Sequence, residues 1–312
     1  MGYQGASELC GMHTMIWASS MQEGNMNKTI KNILKLLLIG FATTIVRIIG
    51  QLSIPAGEQT VLAPSIFAQN GTMPLMFTVY GIFAYTLIAA LSLLIRRRMN
   101  GNRILQGLKY GLACCAVWIV YLLEPLPHVA ALDRITYPIA DSAALIIMGI
   151  MLGWLFGKSA SHADGPKAVF PVLPVLTVTV CFFAGRMIQY FIFDIYSSFD
   201  EKTLETVLWC LLTGIVTSCI MAWLNLHISN GNRMKRAMIL GCLLFGVDLI
   251  LFNFFMPLVF SADIPDLILR TFVDILTVTL GCLAFSETRS MDRSAKRLSA
   301  HGTRLSRMTA NL

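Results

Sequence analysis

Residues 75–98 read LMFTVYGIFAYTLIAALSLLIRRR. From Leu75 to Ile95 no side chain carries a charge, and Arg96, Arg97 and Arg98 then follow in a row. About 20 apolar residues in helix cross the hydrocarbon core of a bilayer. Inside lipid each backbone N–H and C=O must be paired within its own segment, so such a run is a helix. The arginines that end it mark the side of the membrane on which it stops.

The same pattern repeats along the chain. Eight apolar runs predict eight spanning helices, at Ile33–Ile54, Leu75–Ile95, Ile104–Leu123, Ile135–Phe156, Ala168–Phe193, Leu204–Leu226, Ala237–Met256 and Ile264–Phe285. The composition agrees: 56% of the 312 residues are hydrophobic and 13% charged, and the mean hydropathy is +0.68. A soluble chain carries about 25% charged residues. Disordered chains, secreted disulfide scaffolds and ordinary soluble enzymes are excluded.

The connecting segments alternate in charge. Lys28, Lys31 and Lys35 open the first span. Arg96–Arg98 and Arg103 lie between spans two and three, Lys158 and Lys167 between four and five, and Arg233, Lys235 and Arg236 between six and seven. Six more cations, from Arg289 to Arg307, follow span eight. The other loops hold Glu58, Asp133, Asp194, Asp200, Glu201, Asp263 and Asp266, with only Arg134 and Lys202 against them. The positive-inside rule then predicts cytoplasmic N and C termini, in a bacterial cytoplasmic (inner) membrane.

Asn100-Gly101-Asn102-Arg103 recurs as Asn230-Gly231-Asn232-Arg233, each in a basic turn between the second and third spans of a four-span block. Arg47 and Arg186, Pro125 and Pro257, and Asp141 and Asp274 correspond in the same order. The expectation is two four-span repeats, residues 26–159 and 160–290, followed by a basic tail over 291–312. An even number of spans gives both repeats the same orientation, so they would be parallel, related by an axis along the membrane normal.

An ionisable side chain inside a span is costly and marks a candidate site. Arg47 falls about 21 Å from the cytoplasmic end of its helix at ~1.5 Å per residue, and Arg186 lies at a similar depth. Asp141 and Asp274 approach that level from the other side. Gln51 and Gln189 follow the arginines by four and three residues, on the same helix face. These six residues, Arg47, Gln51, Asp141, Arg186, Gln189 and Asp274, are the candidate ligand site. Two readings stand: Arg–Asp pairs that only fix helix register, or an outward-facing polar cavity whose arginine forks suit an anionic group. Three charges break the symmetry. Glu124 corresponds to Met256, Asp248 sits at mid-depth among apolar positions, and Arg270 precedes Asp274 by one turn. Asp248 is the candidate for ion coupling, with Glu124 and Arg270 as accessories. A hydrogen bond to Asn253 or to a neighbouring helix is its structural alternative.

Other motifs carry less. Gly149, Gly153 and Gly157 form a small-residue ladder on span four, which lets another helix approach closely. Packing is its first reading, and a homo- or hetero-oligomer contact its second. Seven of the eight cysteines lie inside spans without CxxC spacing, and the five histidines lack ligand spacing. No catalytic residue, metal or cofactor is assigned, and no nucleic-acid partner; the basic tail reads as a topology signal beside anionic lipid. Binding or transport of a small solute is the functional expectation. A non-catalytic partner or sensor subunit, and a membrane enzyme acting on a lipid-linked substrate, are the alternatives.

Residues 1–25 are polar and lack Lys and Arg. Gln22-Glu23-Gly24 can be encoded by a purine-rich run that resembles a bacterial ribosome-binding site just before the codon for Met26. This segment therefore reads as translated leader, the alternative being a short cytoplasmic arm. Without Glu8 and Glu23 the net charge rises from +7 to +9. N-terminal sequencing of natively expressed protein is expected to start at Met26; a peptide from residues 1–25 would refute it.

Overall fold

The structure is a computed structural model. It describes residues 4–55, 57, 59–99, 101–157, 170–228 and 232–286, with side chains from Met26 onward apart from Arg97 and Ser286. Among the described residues it is helical throughout, and eight helices are long and apolar enough to span a membrane. Helix α1 (Gln4–Ser53) contributes Met26–Ser53 as its membrane-crossing part. After the short α2 (Ile66–Gln69) come α3 (Met73–Ile95), α4 (Arg103–Leu122), α5 (Asp133–Phe156), α6 (Val172–Phe191) and α7 (Thr203–Leu226). The seventh span, Arg233–Val259, is composite: α8 (Arg233–Ala237), a π-helical segment (Met238–Gly246), α9 (Val247–Asn253) and α10 (Met256–Val259). Helix α11 (Ile264–Cys282) is the core of the eighth, Ile264–Phe285. The expected spans match these within a few residues. The expected leader falls before the described side chains, and the basic tail lies outside the described residues.

The helices are apolar on both faces. On α3, Phe77, Ala84, Tyr85 and Ile88 are buried, while Leu75, Val79 and Phe83 point away from the bundle and stay exposed. A helix in water would carry charge on that outer face; one that is apolar all round sits in lipid.

Each helix in turn runs antiparallel to the last, so the basic turns collect at one end. Their cations bind carbonyls at or just beyond helix ends there: Lys35 Nζ donates to Leu155 O, Arg96 Nη1 to Phe156 O and Arg98 Nη1 to Ile228 O, each at 3.3–3.4 Å. These bonds satisfy C-terminal carbonyls that have no partner within the helix. At the same end Asn102 caps α4 by accepting from Leu105 N, and Asn232 caps α8 by accepting from Lys235 N. The third residue of each Asn-Gly-Asn-Arg turn thus does the same job, although Asn100, Asn230 and Gly231 lie outside the described residues.

The helix neighbours are alike in the two halves of the chain. In the first, α1 packs on α3 and α5, and α4 on α5; in the second, α6 packs on α7 and α11, and α11 on the seventh span. Across the halves, α4 meets α7, and α3 meets α9 and α10. Two hydrogen bonds tie these crossings: Trp209 Nε1 donates to Val120 O at 2.6 Å, and Tyr80 OH to Leu251 O at 2.9 Å.

The tightest crossing is α4 against α5. A Cβ on Gly107 would lie 2.2 Å from Gly149 O and Gly153 N, and one on Gly111 2.5 Å from Leu145 O. The span-four glycines therefore pack against α4 of the same chain, the first of their two readings. Gly107→Ala is expected to cost about 1–3 kcal/mol or more by overpacking, read as a lower melting temperature in detergent. Gly71 has φ +69° with open space around it. Gly71→Asn is expected to be close to neutral, because Asn tolerates that backbone region.

Candidate functional site

Arg47 lies less than two turns from the C-terminal end of α1, and Asp141 just over two turns into α5. Antiparallel packing brings them to one level. Arg47 Nη2 donates to Asp141 Oδ2 at 3.1 Å, and Arg47 Nε stands 2.5 Å from Oδ1. The guanidinium also lies against aromatic rings, 3.9 Å from the centre of Phe255, 5.1 Å from Phe77 and 5.5 Å from Trp118. Planar guanidinium on an aromatic face is favourable once both have left water.

Arg186 on α6 makes the corresponding pair with Asp274 on α11, Nη2 to Oδ2 at 2.6 Å. More is built around it. Gln189 Nε2 donates to Asp274 Oδ1 at 2.9 Å, and Tyr121 OH to Oδ2 at 3.1 Å. Glu124 Oε1 accepts from Arg186 Nη1 at 3.0 Å and from Arg270 Nη2 at 2.7 Å. Two arginines and two carboxylates thus make a closed, charge-balanced cluster; Arg186, Gln189 and Asp274 are each 1% exposed or less. Both Arg–Asp pairs form within one half of the chain. Tyr121 and Glu124, however, belong to the first half and complete the cluster of the second.

The clusters differ in what lies beside them. A cavity of about 590 Å³ opens at the end of the bundle away from the basic turns. Arg47, Gln51 and Asp141 line one side of it, and Tyr121, Glu124 and Arg270 the other. Its remaining wall is mainly apolar and aromatic, from Phe77, Phe252, Phe255 and Phe260, with Tyr137, His128 and Asn253 as polar points. Arg186, Gln189 and Asp274 do not reach it, which corrects the expectation that all six candidate residues share one ligand site. Arg47 and Arg186 are each matched by a carboxylate, in the Arg–Asp pairing read from the sequence. Asp248 lies deeper and accepts a hydrogen bond from Trp118 Nε1 at 3.1 Å. Asn253 is not its partner: its amide donates to Thr271 Oγ1 at 2.7 Å.

No family model, curated protein or solved structure matches this chain. The site therefore has to be read from its own chemistry.

The cavity mouth is held by loops from both halves. Ser65 N donates to Val259 O, Ser261 N to Ala63 O and Ser65 Oγ to Leu258 O, at 2.7–3.0 Å. Gly57 N donates to Asp133 Oδ1 at 2.7 Å. His128 Nδ1 is 3.2 Å from Tyr196 OH, and the two rings stack. Burial, and then the charge of Arg270, push the His128 imidazole down to about 4. Burial raises the Tyr196 hydroxyl.

Tyr121, Trp118 and Tyr137 were not singled out as site residues from the sequence. Tyr121 and Glu124 lie three residues apart at the end of one apolar run, and that spacing was the available signal.

Two outcomes follow. Arg47→Ala or Asp141→Ala alone leaves a buried charge without its partner and is expected to cost about 3–5 kcal/mol, while the double variant recovers much of the loss. A double-mutant cycle of melting curves in detergent measures this. For His128, the folded-state pKa lies below the unfolded one, so the unfolded chain binds the proton more readily. The stability contribution is complete above about pH 6.5 and is lost as pH falls towards about 4. His128→Gln is expected to flatten that part of the stability–pH profile relative to the unmodified protein.

Proposed function

We propose that this protein is a permease-like integral membrane protein that binds a small solute in the cavity between the two charged clusters. The observation that carries the reading is the cavity itself: about 590 Å³, open at one end of a spanning bundle, with Arg47–Asp141 on one wall and Glu124–Arg270 on the other. Burying charges at such depth is expensive, and residues kept there mark solute or ion pathways. An aromatic wall with a few fixed polar groups suits a small amphipathic molecule, held by its apolar body and oriented by Gln51, Tyr137 and Asn253. With the arginines matched by carboxylates, the lining does not single out an anion.

The orientation in this proposal is N-in and C-in, with the cavity facing outward from a bacterial cytoplasmic membrane. It rests on the charge asymmetry of the loops. The two halves are proposed to be parallel four-span repeats. Supporting this are the matched helix neighbours, the two Arg–Asp pairs between first and fourth spans, and the two Asn caps. Parallel repeats with a site near their interface recur among secondary transporters, an analogy of architecture and not of chemistry. The partner-subunit alternative is weakened because α4 occupies the glycine face that was to serve it.

Two experiments test the reading. A cysteine placed at Gln51 is expected to react with a membrane-impermeant thiol reagent added from outside, and not with reagent confined to the inside. Labelling only from inside overturns the orientation. Small amphipathic solutes that raise the melting temperature are expected to accumulate in proteoliposomes containing the protein, and Gln51→Leu to reduce that uptake. Stabilising solutes that are never taken up, together with a stable hetero-complex after gentle solubilisation, would favour the subunit reading.

A further inference from the structure

Two buried carboxylates stand outside the two clusters among the described residues: Asp133, which begins α5 and accepts from the Gly57 backbone N–H, and Asp248, which lies within a span. Asp248 lies in the first turn of α9, immediately after the π-helical segment, near the middle of the seventh span. Its residue is 4% exposed. Glu124, Asp141 and Asp274 each have an arginine nitrogen within 3.0 Å. Asp248 has no such cation among the described residues; Trp118 Nε1 is its hydrogen-bond donor.

The groups around it are neutral hydrogen-bonding or apolar side chains. Tyr85 comes from α3 and Tyr110, Cys114 and Trp118 from α4. Helix α7 brings Ile220, Met221 and Leu224, and α11 brings Ile275 against the neighbouring Gly246. Arg47 and Asp141 share the neighbours Tyr85 and Trp118 with Asp248, and are paired with each other. An ionised carboxylate with one donor and no cation is poorly solvated in such a place, whereas a neutral acid fits it.

Its position relative to open space is equally specific. Towards the basic end, Asp248, Tyr110 and Cys114 border a void of about 20 Å³, room for roughly one water molecule. Towards the other end, the Trp118 ring lies 5.1 Å from Phe252 and 5.5 Å from the Arg47 guanidinium, both in the cavity wall. The side chain therefore stands between the floor of the cavity and a water-sized space on the opposite side. The π-helical segment sets this placement: Gly241 lets the seventh span approach α11 so closely that a Cβ would lie 2.4 Å from Thr279 Cα.

We propose that Asp248 is a proton-binding site, and that Trp118 couples its charge state to Arg47 at the cavity floor. The step is a single proton transfer. A carboxylate oxygen of Asp248 takes a proton from hydrated hydronium reaching the void and returns it the same way, with no other bond made or broken. Ionisation strengthens the Trp118 N–H···O bond, because charge-assisted hydrogen bonds are shorter and stronger. The indole then shifts against the guanidinium it covers. The coupling clause rests on the cavity being the solute site; the proton site does not.

The test needs no solute. Infrared difference spectra of the purified protein between acidic and alkaline pH are expected to show a protonated-carboxyl C=O band that is lost in Asp248→Asn. Tryptophan fluorescence is expected to change over the same pH range and to lose that change in both Asp248→Asn and Trp118→Phe, while Trp118→Phe keeps the infrared band. Asp248→Asn is isosteric and holds the site in the neutral form that fits it, so its melting temperature should not fall. Should it fail to fold, Trp118→Phe still separates the two probes. A carboxyl band that persists in Asp248→Asn, or a sodium-dependent signal at fixed pH that needs Asp248, would overturn the proton site. A fluorescence change that survives Trp118→Phe would overturn the coupling. If uptake fails but the Asp248 band is present, the permease reading fails and the proton site stands.

Discussion

A guanidinium cannot stay unpaired in hydrocarbon, and the architecture of this bundle follows from that constraint. Arg47 and Arg186 are both buried, so each needs a carboxylate at its own level on a different helix. Asp141 and Asp274 supply them, and in doing so fix the register of α1 against α5 and of α6 against α11. Apolar contact cannot do this alone, because lipid competes with a leucine neighbour as an apolar surface. The charges give the packing its one correct alignment, and the aromatic rings then close around them.

The two Arg–Asp pairs have different surroundings, and one residue accounts for much of the difference. In the proposed repeat alignment, Glu124 of the first half corresponds to Met256 of the second. Glu124 reaches into the second cluster and satisfies Arg186 and Arg270 together, making that cluster compact and closed. Arg47 receives no second carboxylate and is covered instead by Phe255. The space beside it stays open as the cavity.

Much of this is readable in the chain. The spans can be located because a helix in lipid has no water to hide behind, so Leu75–Ile95 has to be apolar on every face. The pairing of Arg47 with Asp141 follows from depth and charge alone. The aromatic residues do not announce themselves. Tyr121, Trp118 and Phe255 have the same composition signature as rings that face lipid, and only the packed structure separates them. The glycine ladder was legible as a contact surface, but its partner was not. Gly107 and Gly111 carry the matching four-residue spacing, and pattern alone does not say whether such a face meets its own chain or another. The π-helical segment leaves still less trace: Gly241 within it meets Thr279 closely across a helix pair, and the apolar run around it reads like any other span.

The α4–α5 crossing has a mechanical consequence. Most packed helices touch through side chains, and a layer of rotamers can absorb a slide of an ångström or two between them. Here backbone rests on backbone at Gly107 and Gly149, with no such layer to yield. The two helices form one stiff blade, and that blade carries Asp141 on one limb and Trp118, Tyr121 and Glu124 at or just beyond the end of the other. Any rearrangement that opens or narrows the cavity has to swing these groups together, and its hinge has to lie at the edges of the blade, where α1 and α7 meet it.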